Sequence, residues 1–180
     1  MNFMKTKFLK GKGFYLREIR EDDLRGNWYN WFNDSGITKY QNKKIFPNSY
    51  EKQKKYYEYL LNSSKDVVFA IIDDSSDFHI GNVGLHHIEW VHRSAELGIV
   101  LGEKEFHGKK IGKEAWSLIT KYGFEFLNLH RIYAHIMEEN ISSRKCAEAS
   151  GFILEGTISD FYYKNGSYKN VCYYNKLNSF

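Results

Sequence analysis

The chain has 180 residues, 42% of them hydrophobic and 27% charged, which suits one domain with a real core and excludes wholesale disorder. No apolar run approaches the ~18 residues of a membrane span, and a net charge of +4 falls short of the dense basic stripe of a duplex binder. The two cysteines, Cys146 and Cys172, form neither a metal-type spacing nor a disulfide framework, so the expected compartment is the reducing cytoplasm.

The basic start, MNFMKTKFLKGKGF, lacks an apolar h-region and a cleavage site, so no signal peptide is expected. FYLREIR (14–20) alternates as a strand does. EDDLRGNWYNWFND (21–34) opens with acids that suit a helix N-terminus and places Leu24, Trp28 and Trp31 at helical spacing. GITKYQNKKIFPN (36–48) is a loop. SYEKQKKYYEYLLNS (49–63) is a helix capped by Ser49, with Tyr56, Tyr57, Leu60 and Leu61 on one side and Lys52, Lys54 and Lys55 in solvent. VVFAIID (67–73), IGNVGLHHIEW (80–90) and SAELGIVL (94–101) are strands. Adjacent in a strand, His86 and His87 are expected to face opposite ways, and His130 and His135 lack helical zinc spacing, so no metal site is predicted. A helix begins near Lys109 and continues through GKEAWSLITKYGFEFLN (112–128), with Ala115, Leu118, Ile119, Tyr122 and Phe126 on its apolar face. IYAHIM (132–137) is a strand, and ISSRKCAEA (141–149) is a short helix ended by Gly151. FYYKNGSYKNVCYY (161–174) is a hairpin around Asn165-Gly166. Helices and strands mix without strict βαβ alternation, which predicts a single α+β domain over 1–180 with its core at about 14–177.

FHGKKIGKEA (106–115) gathers two glycines and three lysines, and amides freed by glycine beside lysine suit a phosphate. A Walker loop is excluded: three residues separate Gly108 from Gly112, and Lys113 is followed by Glu114. No magnesium ligand accompanies the turn. The readings left are the pyrophosphate of a carrier cofactor and an ordinary strand-to-helix turn. Aromatic residues make up 17% of the chain; tyrosines on half-buried strands account for them better than stacking platforms for single-stranded nucleic acid do.

Residues 93–156 carry, in order, an AELGIVL strand, the glycine-rich turn running into a helix with Glu-Ala, LNLHRIYAHI, Asn140 followed by Ser143, and Ser-Gly-Phe before a further strand. This series resembles the central half of the GNAT acetyltransferases, in the branch of the ribosomal-protein N-acetyltransferases. Similar central motifs occur in spermidine acetyltransferases. The resemblance extends more weakly from LREIREDDL to the Asn-Gly hairpin. It implies a GNAT-like fold, a mixed and largely antiparallel sheet of about seven strands with about four helices. It also implies acetyl-CoA as co-substrate, with its pyrophosphate on His107, Gly108, Lys109, Lys110, Ile111 and Gly112. Lys110 stands where the family prefers glycine, and His107 where it usually has Arg or Gln.

Acetyl transfer to an amine requires loss of the amine's proton, donors for the developing oxyanion, and stabilisation of the leaving thiolate. The resemblance makes Glu96 the candidate base, directly or through a water, with pairing to Arg93 or Arg131 as the structural reading. The oxyanion donor is then a backbone amide near Ile99, Val100 or Leu101. Asn140 and Ser143 flank the pantetheine arm, Asn140 being equally suited to cap a helix. The tyrosine many relatives use as general acid is replaced by Ala147, with Ser143 and Cys146 the nearest alternatives. The implied partner is a small-molecule or peptide amine, with no nucleic acid and no membrane, and a homodimer is left open. Lys39, Lys43 and Lys44 in the first loop disfavour a polycation and suit an amine on an anionic group, a nucleotide-linked amino sugar before a peptide α-amine. The alternatives are a polyamine acetyltransferase and a non-catalytic acyl-CoA-binding module of the same fold.

Overall fold

The computed structural model describes residues 6–41 and 45–179. Eight strands form one sheet: β1 (Leu9–Lys10), β2 (Phe14–Glu18), β3 (Val67–Asp73), β4 (His79–Glu89), β5 (Ser94–Leu101), β6 (Arg131–Met137), β7 (Ile153–Lys164) and β8 (Ser167–Leu177). Their spatial order is β1-β2-β3-β4-β5-β6-β8-β7. Every neighbouring pair is antiparallel except β5 and β6, which are parallel. The helices are α1 (Trp28–Trp31), α2 (Tyr50–Asn62), α3 (Ile111–Glu125) and α4 (Ile141–Ala149), with 3-10 turns at Glu21–Arg25 and Lys104–Phe106.

Period-two alternation divides the side chains between two faces. Leu16, Ile71, Leu85, Ala95, Leu97, Ile132 and Ala134 pack with Ala115, Trp116 and Ile119 of α3 and Ala147 of α4. Tyr15, Ala70, Ile72 and Val100 meet Leu24, Trp28 and Trp31 on the opposite face, where Tyr56, Tyr57 and Leu60 of α2 cover them. On β5, therefore, Ala95 and Leu97 point toward α3, while Glu96, Gly98 and Val100 share the α2 face.

Several elements differ from expectation. The helix over 21–34 is two short pieces, because Gly26 adopts extended backbone (φ −87°, ψ −158°) between them. The eighth strand is β1, two residues that pair with Leu16 and Tyr15 and are too short to show alternation. β7 begins at Ile153, well ahead of 161, and is an edge strand exposed along most of its length. The third helix starts at Ile111, with Lys110 as its N-cap, and ends at Glu125, leaving Phe126 exposed. Leu61 is likewise exposed and not packed with its neighbours on α2.

One irregularity creates the site. β5 pairs with β4 out to Leu101, but with β6 only at Ser94, Ala95 and Glu96. Beyond Glu96 the two parallel strands part, so the edge of β5 from residue 97 to 101 that faces β6 carries no ladder.

Candidate active site

The glycine-rich turn lies between the end of β5 and α3. Gly108 has φ 77° and Lys110 has φ 64°, so a lysine occupies the left-handed backbone that glycine adopts without strain. No side chain caps α3, and among the described residues the amides of Gly108, Lys109 and Lys110 donate to no acceptor. Together with the first amides of α3 they form an anion-binding concavity at the positive end of the helix dipole. The carboxylate of Glu114 is taken up by the Lys12 amide (2.8 Å). Lys109 Nζ sits 4.5 Å from the Phe106 ring centre, and His107 Nε2 lies 3.0 Å from the Leu101 carbonyl oxygen, so His107 braces the turn against β5. A Cβ on Gly112 would lie 3.6 Å from Leu101 Cδ1, an ordinary van der Waals contact that the protein tolerates.

The unladdered edge of β5 runs past Ile99, Val100 and Leu101, the positions expected to supply an amide to the thioester. Asn140 caps α4, its Oδ1 accepting from the Ser143 amide (3.2 Å), which leaves Nδ2 for a ligand. Ala147 is fully buried. The phenol of Tyr174 donates to Glu148 Oε1 (2.6 Å) and accepts from Arg144 Nε (3.3 Å). Cys146 is half-buried, and burial pushes its thiol up while Lys113 pulls it down.

Glu96 is the last β5 residue paired with β6, opposite Tyr133. Neither expected arginine holds it: Arg93 donates to Asn128 (2.6 and 2.7 Å), and Arg131 pairs with Glu155. Instead His135 Nδ1 donates to Glu96 Oε1 at 2.9 Å, because positions 133 and 135 of β6 fall on the same face as 96. The imidazole of His135 stacks on Phe161 (5.6 Å between centres, 14° between planes) and meets Tyr173 edge-on (5.0 Å). Burial, and then the Glu96 charge, raise the phenols of Tyr133 and Tyr162 above the ordinary tyrosine range. The carboxylate keeps 26% of its side-chain surface in solvent. A partly open carboxylate beside an imidazole, with the phenols of Tyr133 and Tyr162 within its electrostatic reach, is a fitting seat for an ammonium group.

The alternation expected for His86 and His87 fails. Pairing is irregular between His86 and Glu89 and His87 has φ 50°, which brings His87 Nε2 to 3.9 Å from Glu96 Oε2. No local pattern in the sequence marks His135, Phe161 or Tyr173 as site residues. Strand period places His135 and Tyr133 on one face, but the register that sets them beside Glu96 belongs to the parallel pairing. Among the described residues, no three metal-ligating side chains are grouped to hold an ion.

Residues 14–153 match the family model described as an acetyltransferase (GNAT) domain. Spermidine N(1)-acetyltransferase of Vibrio cholerae is 30% identical over 156 residues, 87% of this chain and 88% of that protein. The putative ribosomal N-acetyltransferase YdaF of Bacillus subtilis is 37% identical over 97 residues, 54% of this chain and 52% of the relative. The crystal structure of spermidine N-acetyltransferase from Vibrio cholerae in complex with CoA and spermine superposes with a TM-score of 0.86 at 29% identity, covering 93% of this chain and 96% of that one.

Proposed function

The chain belongs to the GNAT acetyltransferase family and takes its acetyl group from acetyl-CoA, and we propose that it transfers that group to the primary amine of a small molecule seated at Glu96. The observation that carries this reading is the position of the Glu96 carboxylate. It is partly open and held by His135, at the point where β5 and β6 part. The parted edge supports the pantetheine arm, and the turn over His107–Gly112 supports the pyrophosphate. The thioester then lies beside Glu96, which attracts the ammonium form of the acceptor and holds the nitrogen for direct attack in a ternary complex. Positioning of this kind supplies much of the rate when few side chains take part.

Two acceptor classes have support. Lys43 and Lys44 lie outside the described residues. Lys39, exposed with Nζ 4.9 Å from the Tyr40 ring centre, is the loop cation with a described position. The same loop is tied to the β7–β8 hairpin by Lys164, whose Nζ donates to the carbonyls of Thr38 (2.9 Å) and Gln41. The basic composition of this loop, with Lys39, Lys43 and Lys44, supports an amine borne by an anionic molecule. The second reading, a polyamine, is favoured by the near-full-length similarity to enzymes named for spermidine. Thiol release from acetyl-CoA with spermidine, a serine-starting peptide and a nucleotide-linked amino sugar decides between them. The expected order places the anionic amine first. Fastest turnover on spermidine would transfer the assignment to the polyamine. Acetyl-CoA binding with no thiol release on any amine would make this a non-catalytic acyl-CoA module.

A further inference from the structure

A second carboxylate–imidazole pair lies beside Glu96. His86 of β4 is the cross-strand partner of Glu96, and its Nδ1 is 2.9 Å from Asp66 Oδ1. Asp66 follows α2 in the short connection to β3. Its side chain is 8% exposed, and its other oxygen accepts from the hydroxyls of Tyr59 and Ser63 (the latter at 2.9 Å). The connection is anchored on β4 by hydrogen bonds from the Ile88 amide to the Lys65 carbonyl (2.8 Å) and from Trp90 Nε1 to the Ser64 carbonyl (2.8 Å). Burial opposes ionisation of Asp66, but the donors Tyr59, His86 and Ser63 outweigh it and hold the carboxyl below the ordinary aspartate range.

An ionised carboxylate can only accept, so the proton on the neutral His86 ring is at Nδ1 and the lone pair is at Nε2. Among the described residues Nε2 has no hydrogen-bond partner. Its direction is fixed by Gly98: a Cβ there would lie 3.2 Å from Nε2 and 3.1 Å from Cδ2. The ring therefore lies over the first unladdered residues of β5, in space that any side chain at position 98 would invade. Glu96 Oε1 is engaged by His135, which leaves its other oxygen as a seat for a cation, whereas His86 offers an oriented, unoccupied lone pair one step further along the parted strand.

We propose that His86, held in one tautomer by Asp66, is the base that takes the proton from the attacking amine, while Glu96 seats the ammonium. The inference rests on the acetyl-transfer reading given above. The ammonium seated on Glu96 first gives one proton, through His86 Nε2, to solvent. The freed nitrogen lone pair then forms the new C–N bond to the thioester carbonyl carbon, and the nitrogen's second proton passes to His86 Nε2. The C–S bond then breaks, its electron pair leaves on the CoA sulfur, and the thiolate takes up one proton while His86 returns one to solvent. An imidazole suits this task because a base works best when it titrates near the working pH. Among the described residues, the charged or titratable groups around the His86–Asp66 pair include Tyr56 and Tyr59 from α2, Glu96 from β5 and neighbouring His87 from β4.

Steady-state kinetics of the full chain with the best amine from the panel test the assignment, alongside acetyl-CoA affinity by calorimetry. His86→Gln is expected to lower kcat by about 10²-fold or more, with acetyl-CoA affinity and acceptor KM within about twofold, and to abolish the rise of kcat/KM with pH seen in the parent. Asp66→Asn, a change to a positioning residue, is expected to displace that rise along the pH axis and lower kcat by roughly tenfold. Added imidazole is expected to restore turnover in His86→Ala, an effect that a purely structural role would not give. A His86→Gln enzyme with near-normal kcat and an unchanged pH profile overturns the proposal while leaving acetyl transfer intact. A wild-type chain that binds acetyl-CoA yet releases no thiol with any amine overturns both.

Discussion

The Asp23 and Glu96 clusters share one face of the sheet and the same chemical groups, a carboxylate with histidine beside it, but differ in how far they are closed. Asp23 accepts two bonds from the Arg17 guanidinium (2.8 and 2.7 Å) and one from the Arg20 amide (2.7 Å), with its side chain 4% exposed. Beside it, His79 is pinned edge-on against Trp28 and Trp31 (6.0 and 5.0 Å), and burial lowers its pKa although Asp23 pulls the other way. Glu96 has one firm partner, a looser one and an open side. A saturated buried network fixes the entry of the chain into α1. An unsaturated one at a break in the sheet keeps capacity for a ligand.

The largest expected effect separates the two directly. Asp23→Ala strands the Arg17 guanidinium in the core, and removing one partner of a buried pair costs about 3–5 kcal/mol, read as a lower urea midpoint. Burial alone would raise the Asp23 pKa, but the bonds from Arg17 outweigh it and hold the carboxyl low. The pair's contribution is thus present above the ordinary aspartate range and is lost as pH falls through the depressed value. Asp23→Ala is expected to lose that part of the acid sensitivity. A variant as stable as the parent would remove the distinction between the clusters.

Glu96→Gln is expected to do the reverse. Its unfolding free energy stays within about 1 kcal/mol, since glutamine can still accept from His135, while turnover falls by about 10²-fold through lost positioning of the nitrogen, with little change in the KM for acetyl-CoA. Normal turnover across the pH range would reduce Glu96 to an architectural residue like Asp23. Gly112→Val is the smallest change and touches neither cluster. It is expected to weaken acetyl-CoA binding by roughly tenfold through lost backbone approach, equivalent to about 1.4 kcal/mol. Unchanged affinity by calorimetry would move the pyrophosphate elsewhere.

Local chemistry explains what could be seen in advance. The bounds of β3 and β5 follow from apolar runs flanked by turn residues, and Ser49 caps α2 by accepting from the Lys52 amide, as its type requires. Asn165 and Gly166 adopt φ 52° and 81°, the twist-matching turn their dipeptide favours. The failures also have local causes. Gly26 breaks an otherwise helical spacing, β1 is shorter than one alternation, and a bulge at His87 reverses the face that strict period two assigns.

By itself the sequence determined the α+β class, most element positions, the glycine-rich turn and the family, because each depends on spacing within a few residues or on motifs kept in order. Only the tertiary structure decided which groups meet. Glu96 and His135 are 39 positions apart, and His86 and Asp66 are 20 apart. Period two tells which face a side chain takes but not which strand lies alongside or where two strands part. Those are fixed by the α3 crossover that lays β6 parallel to β5 for three residues and then lets them separate, a balance of packing over the whole sheet that no local pattern contains.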